Sequence, residues 1–246
     1  MLLKDKLAVV HGGGGAIGGA VARAFAREGA RVFLAGRTLA RLQAVADDIR
    51  AAGGTAELAP LDVLDADAVA RHADTVAAQA GGIDIALNAV GVVHVQGVPL
   101  DRLAVGDFSY PISVYSRINF NTAKAVAPHM ARRGGGAILM LSTPASRLPG
   151  PGYLGFAVAC AGIEALSRHL AGELGAFGIR VNCIRPHATP QTVDRGSHAE
   201  AVFAQDAGRQ GLSVAQLLEG AATQTLLKRL PTLDEVAQTA VFLASR

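Results

Sequence analysis

Residues 7–19 read LAVVHGGGGAIGG, and this stretch decides the fold prediction. Leu7–Val10 is a short apolar run that predicts a buried strand, and the apolar spacing of Ala20–Glu28 predicts a helix closed by Gly29. A run of glycines fills the connection between the two elements. Because glycine lets the backbone turn sharply and approach a neighbouring group closely, the loop predicts a ligand site at the start of a helix.

The alternation of strand and helix continues along the rest of the chain. The predicted strands are apolar on both faces, which is typical of a parallel sheet covered by helices on both sides. Right-handed crossovers then give a doubly wound α/β sheet, a single Rossmann-type domain over residues 1–246. The further predicted strands are Arg31–Ala35, Ala56–Leu61, Ile83–Ala89, Ala137–Leu141 and Ile179–Ile184, with a helix at Leu39–Ala52.

The segment 188–229 departs from this alternation. It contains Pro190, several glycines and two weak helical patterns, Ala199–Gln205 and Val214–Leu227. It follows a strand, at the edge of the sheet where open α/β proteins bind ligands. The segment therefore predicts a helical insertion that is either a substrate-covering lid or ordinary packing structure, and both alternatives stay open here.

The composition argues against several classes of protein. The chain has 246 residues and a net charge of +3 without a basic cluster, which argues against a nucleic-acid partner. Cys160 and Cys183 have no metal-binding spacing, so we expect two buried thiols in a reducing compartment and no metal site. No run of about 18 apolar residues occurs. We therefore expect a soluble cytoplasmic protein without a membrane partner.

The residues after the second predicted strand indicate the cofactor. In NAD sites an acidic residue about 20 residues past the glycines binds the ribose hydroxyls. This chain has Gly36 and Arg37 there and no acid. A guanidinium can grip a 2′-phosphate through two hydrogen bonds. The alternative is an exposed arginine at a helix start, and the missing acid favours NADP(H).

These segments resemble the short-chain dehydrogenase/reductase family over almost the whole chain. The glycine loop resembles Thr-Gly-x-x-x-Gly-x-Gly, with His11 and Ala16 as departures, and residues 84–91 resemble a strand that ends in Asn-Asn-Ala-Gly. Asp62 and Asn88 would otherwise be a helix cap and a turn residue. The resemblance implies that NADP(H) contacts Gly12, Gly14, Gly15, Ile17, Gly18, Arg37, Asp62, Val63 and Asn88.

The resemblance also implies where the catalytic pair would lie. The family uses a tyrosine as general acid–base and a lysine one helical turn later, whose charge lowers the tyrosine pKa. With residues 161–168 as the anchor, these positions fall on Phe156 and Cys160, which supply neither a phenol nor a cation. We therefore expect a degenerate member of the family in which ordinary carbonyl reduction is doubtful.

The other two family positions also differ. The family serine corresponds to Thr143, with Ser142 as a near alternative, and the family asparagine corresponds to Tyr115, with Asn119 one turn later. A hydroxyl at Thr143 either binds substrate or caps the strand end. The residues considered as replacements for the missing acid are Tyr153, Tyr115, His94 and His187, and we take Thr143 and Tyr153 as the candidate catalytic residues.

Two functions remain open from the sequence. One is an atypical NADP(H)-dependent oxidoreductase, or a non-redox enzyme on the same scaffold, that acts on a small molecule. The other is a non-catalytic cofactor-binding or regulatory protein, or an inactive partner of an active relative. We expect a homodimer through Thr122–Met130 and Ile163–Leu174. In the family the chain usually continues past Leu243–Ser245 into an edge strand that helps to form tetramers, whereas this sequence stops at Arg246. Either the chain ends early or a tail is omitted from the sequence, so a tetramer also stays open.

Overall fold

The computed structural model describes residues 1–195 and 197–245 and contains a six-stranded sheet. The strands are β1 (Leu7–His11), β2 (Arg31–Gly36), β3 (Thr55–Pro60), β4 (Ile85–Asn88), β5 (Gly136–Leu141) and β6 (Ile179–Ile184). They lie in the order β3-β2-β1-β4-β5-β6, and every pairing is parallel. The order reverses direction at β1, so the predicted doubly wound α/β fold is confirmed.

Helices cover both faces of the sheet. They are α1 (Ala16–Arg27), α2 (Leu39–Ala51), α3 (Ala66–Ala80), α4 (Val105–Arg132), α5 (Leu154–Leu174), α6 (His198–Gln210), α7 (Val214–Gln224) and α8 (Leu233–Ala244). Phe25 of α1, Leu42 of α2 and Val241 of α8 belong to one core cluster, and Val76 of α3 and Met130 of α4 belong to the other. Apolar side chains therefore fill both faces of the strands, as expected of a buried parallel sheet.

Four predicted elements had boundaries that were wrong by more than two residues at one end or were shortened at both. The helix predicted at Ala199–Gln205 continues to Gln210, and Gly211 in the left-handed conformation ends it. The first helix begins at Ala16, not Ala20, because its first turn lies inside the glycine-rich stretch, which has low helix propensity. The fourth strand is only Ile85–Asn88, since the Asp84 carboxylate before it accepts a hydrogen bond from the Leu7 amide at 2.9 Å. The helix predicted to reach Leu227 ends at Gln224, where the chain turns extended at Thr225.

One helix is notable for its apolar composition. By length and composition Leu154–Phe177, with a mean hydropathy of 1.2, is the one stretch among the described residues that could cross a membrane. Its Ile163, however, packs in the same core cluster as Ile138 and Met140 of β5. This packing is typical of a helix that covers a sheet in a soluble domain.

The segment 188–229 contains α6 and α7. Ser197 caps α6 by accepting a hydrogen bond from the Ala199 amide, and Ser213 forms a capping box with Gln216 at the start of α7. Both predicted helical patterns are therefore helices. Gly196 within this segment and Arg246 at the end of the sequence lie outside the described residues.

Candidate functional site

A cavity of about 980 Å³ lies at the carboxyl ends of the parallel strands. It runs from Arg37 and Arg41 after β2, past the glycine loop and the end of β4, to residues of α5, α6 and α7. This is the edge at which doubly wound sheets bind ligands. The cavity therefore joins the predicted cofactor residues to the predicted catalytic ones in a single space.

The glycine loop fits a ligand against its backbone. Gly12 has a φ of +78°, and a Cβ there would lie 2.7 Å from the carbonyl oxygen of Ala89. A Cβ on Gly18 would overlap the carbonyl oxygen of Gly12, so both positions require glycine. Gly15 caps α1 without a side-chain hydrogen bond, and no acidic residue lies in the first turn. The helix thus begins with amide groups that suit a phosphate.

The end of the cavity formed by the residues that follow β2 and β3, called the adenine end after the ligand part expected there, has both charged and backbone groups. Arg37 is exposed and lines the cavity beside Arg41. Asp62 also lines it, and its carboxylate accepts a hydrogen bond from the Leu64 amide at 3.0 Å. The sequence did not single out Asn121, whose side chain donates to the Val63 carbonyl at 3.0 Å and so holds that loop in place.

Asn88 organises the end of β4. Its amide nitrogen donates to the Asn119 side chain at 3.1 Å and to the Thr122 hydroxyl at 3.4 Å. Its oxygen accepts a hydrogen bond from the Val90 amide at 3.1 Å, as in an Asx turn. Asn119 therefore has a positioning contact with Asn88, and its own amide donates to the Tyr115 carbonyl at 2.9 Å.

His11, the first departure in the glycine loop, is fully buried. Burial, and then the nearby His72, lowers the His11 pKa to about 3, so the imidazole is neutral at neutral pH. The two rings meet edge-on with centroids 6.3 Å apart, and neither Nδ1 atom has a hydrogen-bond partner among the described residues. His11 thus lies beneath the loop as a neutral packing residue.

Phe156 and Cys160 lie one helical turn apart on α5, and both line the cavity. The Phe156 ring stacks on His94 with centroids 4.4 Å apart and an angle of 24° between the planes. The Cys160 sulfur lies 3.5 Å from the Thr143 hydroxyl, and burial raises the pKa of the thiol. Neither side chain therefore brings a positive charge or a phenolic proton into the cavity.

The two hydroxyls after β5 have different surroundings. Ser142 is buried and donates to Glu164 at 3.0 Å, whereas Thr143 is partly exposed and contacts Cys160. Burial raises the Glu164 pKa, but hydrogen bonds from Ser146, Ser142 and Arg147 outweigh it and bring the pKa to about 2. Ser142 thus stabilises the buried Glu164 carboxylate, whereas the Thr143 hydroxyl remains available to a ligand.

Comparison with known proteins identifies the family. The family model described as “Enoyl-(Acyl carrier protein) reductase” matches residues 14–246. The chain belongs to the short-chain dehydrogenase/reductase family. It is 30% identical over 248 residues to “D-threitol dehydrogenase” of Mycolicibacterium smegmatis, covering 99% of this chain and 87% of that protein. It is 31% identical over 245 residues to “Tropinone reductase-like 1” of Erythroxylum coca, covering 99% of this chain and 85% of that one.

Solved structures of the same family share the architecture. A 7α-hydroxysteroid dehydrogenase complexed with NADH and 7-oxo glycochenodeoxycholic acid matches with a TM-score of 0.84 at 26% identity, over 99% of this chain and 89% of that one. A short-chain type dehydrogenase/reductase from Mycobacterium ulcerans matches with a TM-score of 0.83 at 25% identity, over 98% of this chain and 84% of that one. The relatives are oxidoreductases, and the family uses NAD(H) or NADP(H) as its cofactor.

In this short-chain dehydrogenase/reductase, protein hydrogen bonds engage the acidic proton of Tyr153 and both ring nitrogens of His94, two of the residues considered as a replacement acid. The Tyr153 hydroxyl donates to Asp206 at 2.9 Å, whereas the Tyr115 hydroxyl only accepts a hydrogen bond, from the Val92 amide at 3.3 Å, which does not use its own proton. Burial raises the pKa of both tyrosines. His94 bonds the Val92 carbonyl through Nδ1 and Gln96 through Nε2, each at 2.8 Å, and burial lowers its pKa.

His187 differs from Tyr153 and His94. Its Nδ1 accepts a hydrogen bond from the Ala188 amide at 2.8 Å. Because burial lowers the His187 pKa, the ring is neutral near pH 7, and its proton is then on Nε2. That nitrogen has no partner among the described residues, and His187 lines the cavity.

The sequence did not single out the polar residues of α6 that line the cavity. Asp206 is 1% exposed and accepts hydrogen bonds from Tyr153 and Gln210. The His198 ring packs so closely on Gly91 that a Cβ there would overlap it. Neither residue belongs to a motif, because their neighbours in the cavity come from distant parts of the chain.

Proposed function

We propose that this chain is an NADP(H)-dependent oxidoreductase with an atypical active site, in which ordinary carbonyl reduction is slow. The observation that carries the proposal is one cavity that combines a glycine cradle and Arg37 with Phe156 and Cys160. When bound, NADPH supplies a hydride. The proposal assumes the single domain predicted for residues 1–246, with 188–229 as its lid, in the cytoplasm and as a homodimer.

In this proposal each group of cofactor residues binds a different part of the dinucleotide. The backbone of Gly12, Gly14, Gly15, Ile17 and Gly18 binds the pyrophosphate, Arg37 binds the 2′-phosphate, and Asp62, Val63 and Asn88 form the adenine and ribose side. The methyl group of Ala16 is accommodated, since this residue is buried at the start of α1 and the helix still begins there. The cradle therefore has the shape and the donors that a dinucleotide needs.

Proton transfer is the step for which Phe156 and Cys160, at the positions of the family's catalytic pair, offer the least support. Positioned acid–base catalysis contributes a factor of about 10² to 10⁴, so replacing the phenol by Phe156 should leave slow turnover. Thr143 offers a hydroxyl to hold a substrate oxygen. Tyr153, the predicted acid, would first have to leave Asp206, whereas His187 has an unpartnered Nε2–H. We therefore test both Tyr153 and His187 as proton donors.

A second function is favoured by the hydrogen bonds of Tyr153 and His94. With these atoms already engaged, the chain would bind NADPH without turning it over, as a regulatory protein or as an inactive partner of an active relative. Both functions require the same cofactor cradle. They differ only in whether any group in the cavity exchanges a proton with substrate.

A cofactor titration and a turnover assay separate the two functions. We expect NADPH binding by calorimetry and little loss of NADPH absorbance against a panel of ketones, aldehydes and quinones. Turnover near one per second or faster, the low end of ordinary enzymes, would contradict slow catalysis. In that case Tyr153→Phe and His187→Ala would identify the acid. Failure to bind NADPH or NADH would refute both functions.

A further inference from the structure

The charges that line the cavity are unevenly distributed. Among the described lining residues, the side chains charged at neutral pH are Arg37, Arg41, Asp62 and Asp206. The first three lie at the adenine end, and Asp206 alone lies at the end formed by α6 and α7. The lining histidines there do not offset it, because burial lowers the pKa of His94, His187 and His198. The α6 end of the cavity is therefore anionic.

Asp206 has no cation partner in the described part of the chain. It is 1% exposed, and its hydrogen bonds come from two neutral donors, the Tyr153 hydroxyl at 2.9 Å and the Gln210 amide at 2.8 Å. Arg209, one helical turn along α6, forms no ion pair with it among the described residues, and its guanidinium donates to the Gln96 carbonyl. Asp206 is thus a buried carboxylate without a direct ion pair in the described part of the chain.

The backbone at Gly97 allows the Asp206 carboxylate to lie directly against it. Gly97 has a φ of +74°, and a Cβ at this position would overlap the Asp206 carboxylate. Gly97 in turn donates a backbone hydrogen bond to Gly152, directly before Tyr153, at 2.9 Å. Gly97, the Gly152–Tyr153 segment and α6 therefore meet at the Asp206 carboxylate in the wall of the cavity.

Burying an unpaired carboxylate costs several kcal/mol, and a cation with good geometry offsets that penalty. A carboxylate has about four acceptor sites, and the protein uses two here. A neutral hydroxyl would satisfy the free acceptor sites without balancing the charge. We propose that the α6 end of the cavity binds a protonated amine, so that the substrates of this protein are cationic amines. The inference rests on the proposed function, which makes this cavity the substrate site.

The test compares a cationic probe with a neutral one of nearly equal shape. Cyclohexylamine, protonated near neutral pH, and cyclohexanol are titrated into the native chain without cofactor and followed by ligand-observed NMR. Hydrogen bonds to charged groups are stronger than neutral ones, and we expect the amine to bind about tenfold to a hundredfold more tightly. Equal binding of the two probes, or no binding of the amine in the millimolar range, would overturn the proposal.

Two variants test whether the preference for the amine probe depends on the Asp206 carboxylate. Asp206→Asn removes the charge and keeps the shape, so the ratio of the two affinities should fall to about one. Tyr153→Phe removes a hydrogen bond from α6 but keeps the carboxylate, so the preference for the amine should survive. Thermal unfolding of both variants reports whether the segment remains packed. A preference that persists in Asp206→Asn would assign the amine site elsewhere and refute this one.

The outcome is independent of the cofactor. If NADPH does not bind while the amine preference depends on Asp206, the redox proposal fails and the amine site stands. If NADPH binds and the two probes bind equally, the redox proposal stands and the amine site fails.

Discussion

The Arg37→Ala substitution is expected to erase the preference for NADPH over NADH that we propose for this protein. The 2′-phosphate of NADPH is a dianion near neutral pH, and Arg37 lies at the end of β2, where it lines the adenine end of the cavity. A hydrogen bond to a charged group contributes about 1.5–3 kcal/mol. Because Arg37 is exposed, salt screens the interaction, and we expect the lower end of that range. This corresponds to about tenfold in affinity.

A second substitution reverses the preference instead of erasing it. A Cβ at Gly36 would meet only the Leu42 side chain, at 3.5 Å, which is an ordinary van der Waals contact. Gly36→Asp therefore fits without a backbone shift. Its carboxylate would repel the 2′-phosphate and could accept hydrogen bonds from the ribose hydroxyls of NADH. In this variant we expect NADH to bind more tightly than NADPH.

Calorimetric titration of both cofactors, at low and at physiological salt, measures the two effects. Arg71→Ala is the matched control, since Arg71 is an exposed arginine of α3 that does not line the cavity. The control should keep the native preference, and the native preference should shrink as salt is added. Equal affinity of the native chain for the two cofactors, or an unchanged preference in Arg37→Ala, would refute the role of Arg37.

Two further predictions concern stability and assembly. The pKa of His11 is lowered from 6.5 to about 3 in the folded chain, so its contribution to stability is complete above pH 6.5 and is lost as the pH falls toward 3, by up to about 1.4 kcal/mol per pH unit. Urea unfolding from pH 7 to pH 4 should therefore show a smaller loss of stability in His11→Thr than in the native chain, and equal losses would contradict this. The proposed homodimer uses the exposed face of α5, where a side chain at Gly162 meets no atom within 4 Å. Gly162→Arg should give monomers by light scattering, whereas Gly208→Arg, equally open on α6, should leave the dimer intact.

The sequence predicted the fold, and it identified the glycine loop that lines the cavity, because both depend on local patterns. Apolar strands, alternating helices and a glycine run between β1 and α1 are each visible within a short window of residues. Gly18 is required by its contact with Gly12 in the same loop, so the spacing of these two glycines carries that information, whereas Gly12 also meets the distant Ala89. The predicted strands agree with the structure to within two residues at each end for the same reason.

The substrate end could not be predicted in the same way. Tyr153 and Asp206 are more than fifty positions apart and meet only because α6 folds back over the start of α5. Gln96 contacts both His94 and Arg209, which are more than a hundred positions apart in the chain. Long-range side-chain contacts of this kind have no periodicity, and a single sequence contains no signal for them.

The contacts of Phe156 and Cys160 bear on the chemistry proposed for this site. Side chains that merely filled the two positions implied by the family resemblance would face the cavity without specific neighbours. Here the Phe156 ring is stacked on His94, and His94 is held at both nitrogens by Val92 and Gln96. Aromatic contacts of this geometry add about 0.5–1.5 kcal/mol beyond their buried area. Because Phe156 has packing partners of its own, restoring a tyrosine there would place a hydroxyl among groups arranged for a phenyl ring, and we infer a remodelled site whose chemistry depends on the surrounding polar residues.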